Sequence, residues 1–198
     1  MTRFLLIRHG MTDAVGRSIV SWTPGVHLNE VGRRQAAELP DVLEAIPIDA
    51  IYSSPLERAR ETAEPLAARR GLPVHVREAF GEVHFGEFSG HSLETLAKTQ
   101  AWVNYNGFRS GLRPPGGEFV VQVQARFLGE LDAIRAERPG QNVVIVSHAD
   151  SIKAILALFL GAPVDLFDRI GIDPASVSIL DLDDAGAWIR RINWTRNL

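Results

Sequence analysis

The stretch FLLIRHG, residues 4–10, indicates the fold of this 198-residue chain. Its four apolar residues are typical of an interior strand in a parallel sheet that helices cover on both faces. The stretch VVIVSH, residues 143–148, has the same form and ends in His148. Because the carboxyl ends of parallel strands meet at one edge of a sheet, we expect Arg8, His9 and His148 to share a crevice there.

Each of these histidines also has a purely structural interpretation. A histidine at a strand end can serve only as a hydrogen-bonding cap, and for either residue alone that interpretation is as good as a functional one. Two buried strands that both end in histidine favour a shared site.

A third group of residues points to the same edge of the sheet. The sequence SSPLER, residues 53–58, follows a short apolar run and predicts a helix start, with Ser54 as the cap. Arg58 then lies in the first turn, where a cation opposes the helix dipole at a cost of roughly 0.3–1 kcal/mol unless an anion offsets it. An anionic ligand would do so, and the alternative is a salt bridge from Arg58 to Glu57 or Glu61.

Apolar runs and helix-like segments alternate along the chain, which predicts a layered α/β domain over residues 1–198. The predicted strands are Phe4–Ile7, Ala50–Tyr52, Val74–Val76, Val143–Val146, Val177–Leu182 and Trp188–Ile192. The predicted helices run from Asn29 to about Ile46 with a kink or break at Pro40, from Ser54 onward, and over Ser92–Trp102, Glu118–Arg138 and Asp150–Leu160.

Composition excludes several classes of function. The chain has no cysteine, so disulfide scaffolds, thiolate metal sites and cysteine nucleophiles are excluded. The formal charge of -3 gives no sign of a nucleic-acid-binding face. The apolar run at residues 4–7 is too short for a signal peptide, and the run at 154–162 is too short to span a membrane. We therefore expect a cytoplasmic protein without nucleic-acid or membrane partners, and the sequence leaves a homodimer open.

Two arginines and two histidines can surround a phosphoryl group, since guanidinium forks match its oxygens and a neutral imidazole can attack phosphorus. The motif LIRHGMT, residues 6–12, resembles the signature of the histidine phosphatase superfamily (branch 1), whose members include cofactor-dependent phosphoglycerate mutases. Four further blocks match in order: LNEVGRRQA (28–36), YSSPLERARETA (52–63), EVHFGEFSG (82–90) and VSH (146–148).

The resemblance implies a phosphoglycerate mutase-like fold, a three-layer α/β/α sandwich with a mostly parallel sheet. It also implies a phosphoric monoester hydrolase of the histidine acid phosphatase-like type, with His9 as the nucleophile that forms a phosphohistidine. Arg8, Arg58 and His148 would hold the phosphoryl oxygens, and Glu82 would act as general acid and then base. No metal or cofactor is implied.

Two positions depart from the family pattern. Many members have a phosphate-contacting asparagine where this chain has Val15, so Thr12, Ser18 or a backbone N–H would have to supply that contact. The residue after the second histidine is commonly glycine and is Ala149 here, which we expect to be tolerated where φ is negative.

Without the family resemblance, the sequence leaves open which carboxylate is the acid and which segment binds the substrate. From sequence alone, Glu78 and Glu87 are as good candidates for the acid as Glu82. Two segments are candidates for substrate binding, residues 13–27 with Trp22 and residues 102–118, which contain Arg109 and Arg113. The second segment could equally be a surface loop whose aromatic residues pack on the sheet.

The favoured function is a metal-independent phosphomonoesterase acting on a small molecule, because the chain lacks the long insertions of the mutase branch. One alternative is a cofactor-dependent mutase-type phosphotransferase. Another is a non-catalytic module that binds a phosphorylated ligand. A histidine-bound metal is disfavoured, since no two histidines have helical i, i+4 spacing and the arginines would repel a cation.

Overall fold

Six strands form one sheet in the computed structural model, which describes residues 1–195; the last three positions of the predicted domain lie outside the described residues. The strands are β1 (Thr2–Arg8), β2 (Ala50–Ser53), β3 (Val74–Val76), β4 (Asn142–Ser147), β5 (Val177–Asp183) and β6 (Gly186–Trp194). All six predicted strands are therefore confirmed. Their order across the sheet is β3-β2-β4-β1-β5-β6.

The first four strands are parallel, β5 runs antiparallel to them, and β6, which is antiparallel to β5, runs in the same direction as the first four. Ile7 of β1 and Ser53 of β2 both pair with Val146 of β4, so these three strands end at the same level. The residues that follow them, His9, Ser54 and His148, consequently emerge at one edge of the sheet. The prediction of a mostly parallel sheet is confirmed.

Helices cover both faces of the sheet. They are α1 (Glu30–Val42), α2 (Glu57–Arg70), α3 (Leu93–Ala97), α4 (Gln100–Gly107), α5 (Val120–Glu137) and α6 (Ala149–Leu160). Three short 3-10 turns lie at residues 78–80, 86–88 and 164–169. Within residues 1–195, no helix has both the length and the apolar character that a membrane crossing requires.

Three of the predicted helix boundaries are wrong. Helix α1 continues through Pro40 but ends at Val42, since proline cannot donate a backbone hydrogen bond and its ring crowds the preceding turn. Helix α2 begins at Glu57, because the Ser54 hydroxyl accepts the Leu56 N–H before the first helical turn. The segment predicted as one helix from Ser92 to Trp102 is two helices, as Thr99 caps α4 by accepting the Trp102 N–H.

The strands alternate their side chains between two cores. On one face, Leu5 of β1 packs in a cluster with Leu39 of α1 and Ala63 of α2. On the other face, Leu6 packs in a cluster with Phe127 of α5 and Ile155 of α6. The predicted three-layer α/β/α sandwich is confirmed, with about 1.5–3 kcal/mol from each fully buried large apolar side chain.

A third cluster lies beside the end of the sheet, where the functional residues were predicted. Phe85, Phe88 and Tyr105 are buried there with Val120 and Phe167. The ring of Phe88 packs against that of Tyr105 at 5.9 Å between centroids, one of several aromatic contacts that fix this region. The cluster anchors the segment 81–90 and helix α4 to the sandwich.

Candidate active site

A cavity of about 340 Å³ opens at the carboxyl edge of the parallel strands. Arg8, His9, Thr12, Arg58 and Glu82 all line it. The structure thus brings together residues from the end of β1, the first turn of α2 and the loop after β3.

His9 follows β1 directly and is 6% exposed. Its Nδ1 lies 2.7 Å from the Gly10 carbonyl oxygen. Because a carbonyl only accepts, this contact assigns the proton to Nδ1 and leaves the Nε2 lone pair free. Burial, followed by the charges of Arg58 and Arg8, lowers the pKa of His9 to about 3, so the imidazole is neutral at pH 7.

The loop after His9 is held by close backbone packing. The Gly10 N–H donates to the Thr62 hydroxyl at 2.9 Å. A Cβ added to Gly32 in α1 would lie only 2.1 Å from the Met11 carbonyl oxygen, so only glycine permits this approach. Helices α1 and α2 therefore both fix the position of His9.

His148 is completely buried beside His9, with 5.2 Å between the ring centroids. Its Nε2 lies 2.8 Å from the Ser54 hydroxyl, the group that also receives the Leu56 N–H. Burial, followed by the charge of Arg58, lowers the pKa of His148 well below its ordinary value. The two strand-end histidines are adjacent as predicted, although His148 does not line the cavity within residues 1–195, and both are neutral.

The guanidinium groups of Arg8 and Arg58 bond to backbone carbonyls and to no carboxylate among the described residues. Arg8 Nη1 donates to Ile172 O at 2.6 Å, and Arg58 Nη2 donates to Ser21 O at 2.8 Å. Within residues 1–195, Arg8 Nε and Arg58 Nε and Nη1 are buried without a hydrogen-bond partner. Burial lowers the pKa of both arginines.

The alternative of a salt bridge from Arg58 to Glu57 or Glu61 is wrong. Glu57 accepts the Gly25 N–H at 3.0 Å, and Glu61 accepts the Leu28 N–H at 2.8 Å. Both carboxylates thus bind the loop before α1, and the Arg58 side chain, 1% exposed, turns into the cavity lining instead.

Glu82 is the carboxylate of the segment 78–87 that reaches the cavity, whereas Glu78 and Glu87 are exposed and lie outside its lining. Glu82 Oε1 accepts the Val83 N–H at 2.9 Å and lies 3.3 Å from the Ser151 hydroxyl. Burial, followed by the charge of Asp150, raises the pKa of Glu82 to about 7. Near neutral pH this carboxyl can therefore both give and take a proton.

The comparison with known families agrees with this geometry. The family model of the histidine phosphatase superfamily (branch 1) matches residues 4–195. The chain belongs to this superfamily. The resemblance carried by the sequence motifs is thereby confirmed over almost the whole chain.

Relatives in this superfamily include named phosphatases. Phosphoserine phosphatase 1 of Hydrogenobacter thermophilus is 31% identical over 206 residues, covering 100% of this chain and 95% of that protein. A bifunctional protein of Mycobacterium tuberculosis is 34% identical over 98% of this chain, but the chain spans only 54% of its length. A solved mycobacterial glucosyl-3-phosphoglycerate phosphatase in complex with VO3 is 30% identical, has a TM-score of 0.88 and covers 98% of this chain and 99% of its own.

The position of the family asparagine, Val15 in this chain, lies in the cavity lining with Thr12 and Ser18. The Thr12 hydroxyl is buried and has no partner among the described residues. Ala149 is the first residue of α6 and has no positive φ, so alanine is tolerated there as predicted.

Trp22, predicted as a substrate contact, does not line the cavity within the part of the chain that the structure describes. It contacts the backbone of Glu82 and the ring of His84 instead. Its Nε1 donates to the Glu82 carbonyl at 2.6 Å, and its ring stacks on His84 at 4.4 Å. Arg126 donates to the same carbonyl at 3.0 Å. These contacts fix the backbone that presents the Glu82 carboxyl.

Arg109 and Arg113 also lie outside the cavity lining of residues 1–195. Arg109 is 3% exposed, lies over the rings of Tyr105 and Phe167, and binds Asp168 at 2.6 Å. Arg113 lies over the Phe119 ring. Tyr105 is buried and Trp102 packs against the same cluster, in agreement with the alternative of a packed segment, whereas Phe108 is 54% exposed.

Sequence reasoning missed three charged residues of the cavity, Asp150, Lys153 and Asp168. Asp150 and Lys153 lie on the helix that begins directly after His148, and that position could have indicated them. Asp168 lies in a 3-10 turn far along the chain, where nothing in the sequence relates it to the strand ends. Among the described residues, no three His, Asp or Glu side chains are grouped so that they could hold a metal ion.

Proposed function

We propose that this histidine phosphatase is a metal-independent phosphomonoesterase that works through a phosphohistidine on His9. The observation that supports it is the pair of guanidinium groups of half-buried Arg8 and buried Arg58, whose buried N–H groups without partners share the cavity lining with a neutral His9. Buried N–H donors without partners are costly, and the oxygens of a phosphoryl group would satisfy them.

In the first step, the Nε2 lone pair of His9 attacks phosphorus and the bond from phosphorus to the ester oxygen breaks. Protonated Glu82 gives its proton to the departing alkoxide, so the alcohol leaves neutral. Arg8, Arg58 and His148 bind the equatorial oxygens and stabilise the charge that develops on them.

In the second step, a water molecule attacks the phosphohistidine. Glu82, now a carboxylate, takes a proton from that water as the new P–O bond forms and the N–P bond breaks. Inorganic phosphate leaves, and His9 and Glu82 return to their starting protonation states. The pKa of Glu82 near 7 suits both transfers.

Hydrolysis is favoured over phosphoryl transfer between substrates because two of the relatives compared above carry phosphatase names. The arginines would supply the positive charge that a metal supplies in other phosphoryl-transfer sites, which supports metal independence. Small-molecule phosphomonoesters as substrates and a cytoplasmic location remain part of this proposal.

Hydrolysis of p-nitrophenyl phosphate in the presence of EDTA tests the proposal. We expect turnover by the wild type, a loss of about 10⁴-fold or more in His9→Ala, and wild-type rates in His91→Ala, an exposed histidine outside the cavity lining. Equal inactivity of wild type and His9→Ala on a broad panel of phosphomonoesters would support the non-catalytic binding module.

A second assay separates phosphatase from mutase. The protein is incubated with 3-phosphoglycerate and a trace of 2,3-bisphosphoglycerate. Release of inorganic phosphate supports the proposal, whereas rapid formation of 2-phosphoglycerate with little free phosphate overturns it.

A further inference from the structure

The cavity lining divides into two parts of different chemistry. The inner part is the cluster of Arg8, His9, Arg58 and Glu82 described above. The rest, called here the outer part, contains the apolar side chains Val15, Ile19, Val20, Phe85 and Leu93 together with the charged side chains Asp150, Lys153 and Asp168. With the phosphoryl group of an ester at His9, its alcohol portion would extend into this outer part.

The charges of the outer part are already paired with one another. Lys153 Nζ lies 3.4 Å from an oxygen of Asp150 and 3.0 Å from an oxygen of Asp168. The second Asp168 oxygen binds Arg109, which is buried outside the lining. Lys153 is thus the one cation of the outer part within residues 1–195, and both of its close partners are carboxylates.

Lys153 and Asp168 are both charged at neutral pH. Burial disfavours the charge on Lys153, but Asp150 and Asp168 together hold its pKa above the ordinary value. Burial also disfavours the charge on Asp168, but Arg109 and Lys153 hold its pKa below the ordinary value. Two carboxylates and one ammonium line the outer part, and Arg109 pairs with Asp168 from outside the lining, so the outer part has no unpaired cation.

This charge balance acts on the leaving group of the substrate. With the phosphoryl group on Arg8 and Arg58, a second anionic group would find no unpaired cation and would face two carboxylates. An uncharged alcohol avoids that repulsion and gains from contact with the apolar side chains. Its hydroxyl groups could also bond to the unpartnered Thr12 hydroxyl.

We propose that the outer part selects phosphomonoesters whose leaving alcohol is partly apolar and carries no negative charge. The substrate class is therefore phosphomonoesters of neutral or cationic alcohols. Bisphosphates and phosphorylated carboxylic acids are excluded as good substrates. This inference rests on the proposed phosphatase function and adds the charge of the leaving group to it.

Three aryl phosphates of similar size test the inference: phenyl phosphate, 4-carboxyphenyl phosphate and 4-(aminomethyl)phenyl phosphate. We expect kcat/KM for the carboxylate to be lower than for phenyl phosphate by about tenfold or more, and kcat/KM for the amine to equal or exceed it. A carboxylate hydrolysed as well as phenyl phosphate overturns the inference.

Two variants should change this selectivity in opposite directions. Asp168→Asn removes one negative charge, so the ratio of kcat/KM for phenyl over 4-carboxyphenyl phosphate should fall about threefold or more. Lys153→Gln removes the one cation, so the same ratio should rise by a similar factor. Asp165→Asn is the matched control: Asp165 lies on the same 3-10 turn but bonds to Ser110 outside the cavity lining, and the ratio should not move.

The outcomes distinguish the two proposals. If none of the three esters is hydrolysed, the proposed phosphatase function fails. If all are hydrolysed but the ratio does not respond to Asp168→Asn and Lys153→Gln, or responds to both in the same direction, only the inference about charge fails. Should Asp168→Asn not fold because Arg109 loses its partner, the rise in Lys153→Gln still decides.

Discussion

Strand β1 carries an arginine near each of its ends, and the two differ in what surrounds them. Arg3, at the start, binds both oxygens of the buried Asp181, with Nε at 2.7 Å and Nη2 at 2.9 Å, and Arg190 binds the same carboxylate at 2.7 Å. Arg8, the last residue of the strand, bonds only to the Ile172 carbonyl among the described residues.

The comparison distinguishes an arginine that stabilises the fold from an arginine whose charge is available to bind a ligand. At the first end, two cations compensate one buried anion within the protein. At the second end, a half-buried charge is partly removed from water and no carboxylate among the described residues bonds to it, which costs free energy in the unliganded protein. A group that bears negative charge, such as a phosphate, would restore the balance.

The largest effect is expected from replacing each arginine of β1 by methionine. Arg8→Met should lower kcat/KM by about 10³-fold, because it removes a cation that would bind the phosphoryl group. The free energy of unfolding should stay unchanged or rise, since the half-buried charge that is removed bonds to no carboxylate among the described residues. Arg3→Met should keep wild-type kcat/KM and lose about 1–2 kcal/mol of stability in urea unfolding. Similar profiles for the two variants would show that the two ends do not differ in role.

Glu82→Gln gives the next largest effect, because it removes the acid while keeping the shape of the side chain. We expect kcat/KM to fall about 10²-fold or more. In the wild type, kcat/KM should decline as the pH rises through about 7, where Glu82 loses its proton, and the variant should lose that decline. A wild-type profile that stays flat from pH 6 to 9 would argue against Glu82 as the acid.

Glu82→Gln should lower activity, as above, but raise the stability of the folded protein at high pH. The pKa of Glu82 is raised in the folded protein, so its contribution is present at low pH and is lost as the pH rises through about 7. Above that pH the half-buried carboxylate destabilises the fold, so Glu82→Gln should be more stable than wild type by about 1–2 kcal/mol. This value allows for the partial exposure of the carboxyl to solvent.

Asp181→Asn tests the paired end of β1 by removing its anion. The hydrogen bonds of Arg3 and Arg190 hold the pKa of Asp181 below its ordinary value, so its contribution is present above that value and is lost as the pH falls through the lowered pKa. We expect a loss of about 2 kcal/mol at pH 7, unchanged kcat/KM, and a smaller difference from wild type below pH 4. A loss of activity at pH 7 would place Asp181 in the function of the site.

The smallest effect is expected at Ser21, which is buried with a φ of 45°. Its carbonyl accepts Arg58 Nη2, and its hydroxyl donates to Val83 O at 2.8 Å and accepts the Phe85 N–H. Ser21→Ala releases the segment beside Glu82, and kcat/KM should fall about tenfold. Ser178→Ala, a buried serine on β5 that bonds to Asn193, is the control and should retain full activity.

Much of this architecture was predictable because the responsible patterns are local. Runs of three to six residues rich in apolar side chains predicted all six strands, and the shared level of parallel strand ends brought His9 and His148 together. The helix start at Ser54 and the single helix over Ser92–Trp102 were wrong predictions, since a hydroxyl can accept a backbone N–H before a helix, as Ser54 does, or at its cap, as Thr99 does. Nothing local distinguishes those cases.

The site was predictable only in part, and the reason is again physical. Glu82 was chosen over its neighbours through the family resemblance, because its selection depends on which carboxylate the loop turns toward the cavity. Arg109 carries the same charge as Arg58, and the sequence could not show that Asp168 neutralises it. Whether an arginine is paired is decided by contacts between distant parts of the chain.

The unpaired guanidinium groups also link folding to the concentration of the reaction product. Inorganic phosphate that binds the folded protein, but not the unfolded chain, raises the melting temperature, with about 2.7 kcal/mol of added stability at a hundred times its Kd. The same ion would occupy the site and slow turnover. A thermal scan in phosphate buffer and a progress curve in the same buffer would therefore report one binding equilibrium, seen once as protection from heat and once as inhibition.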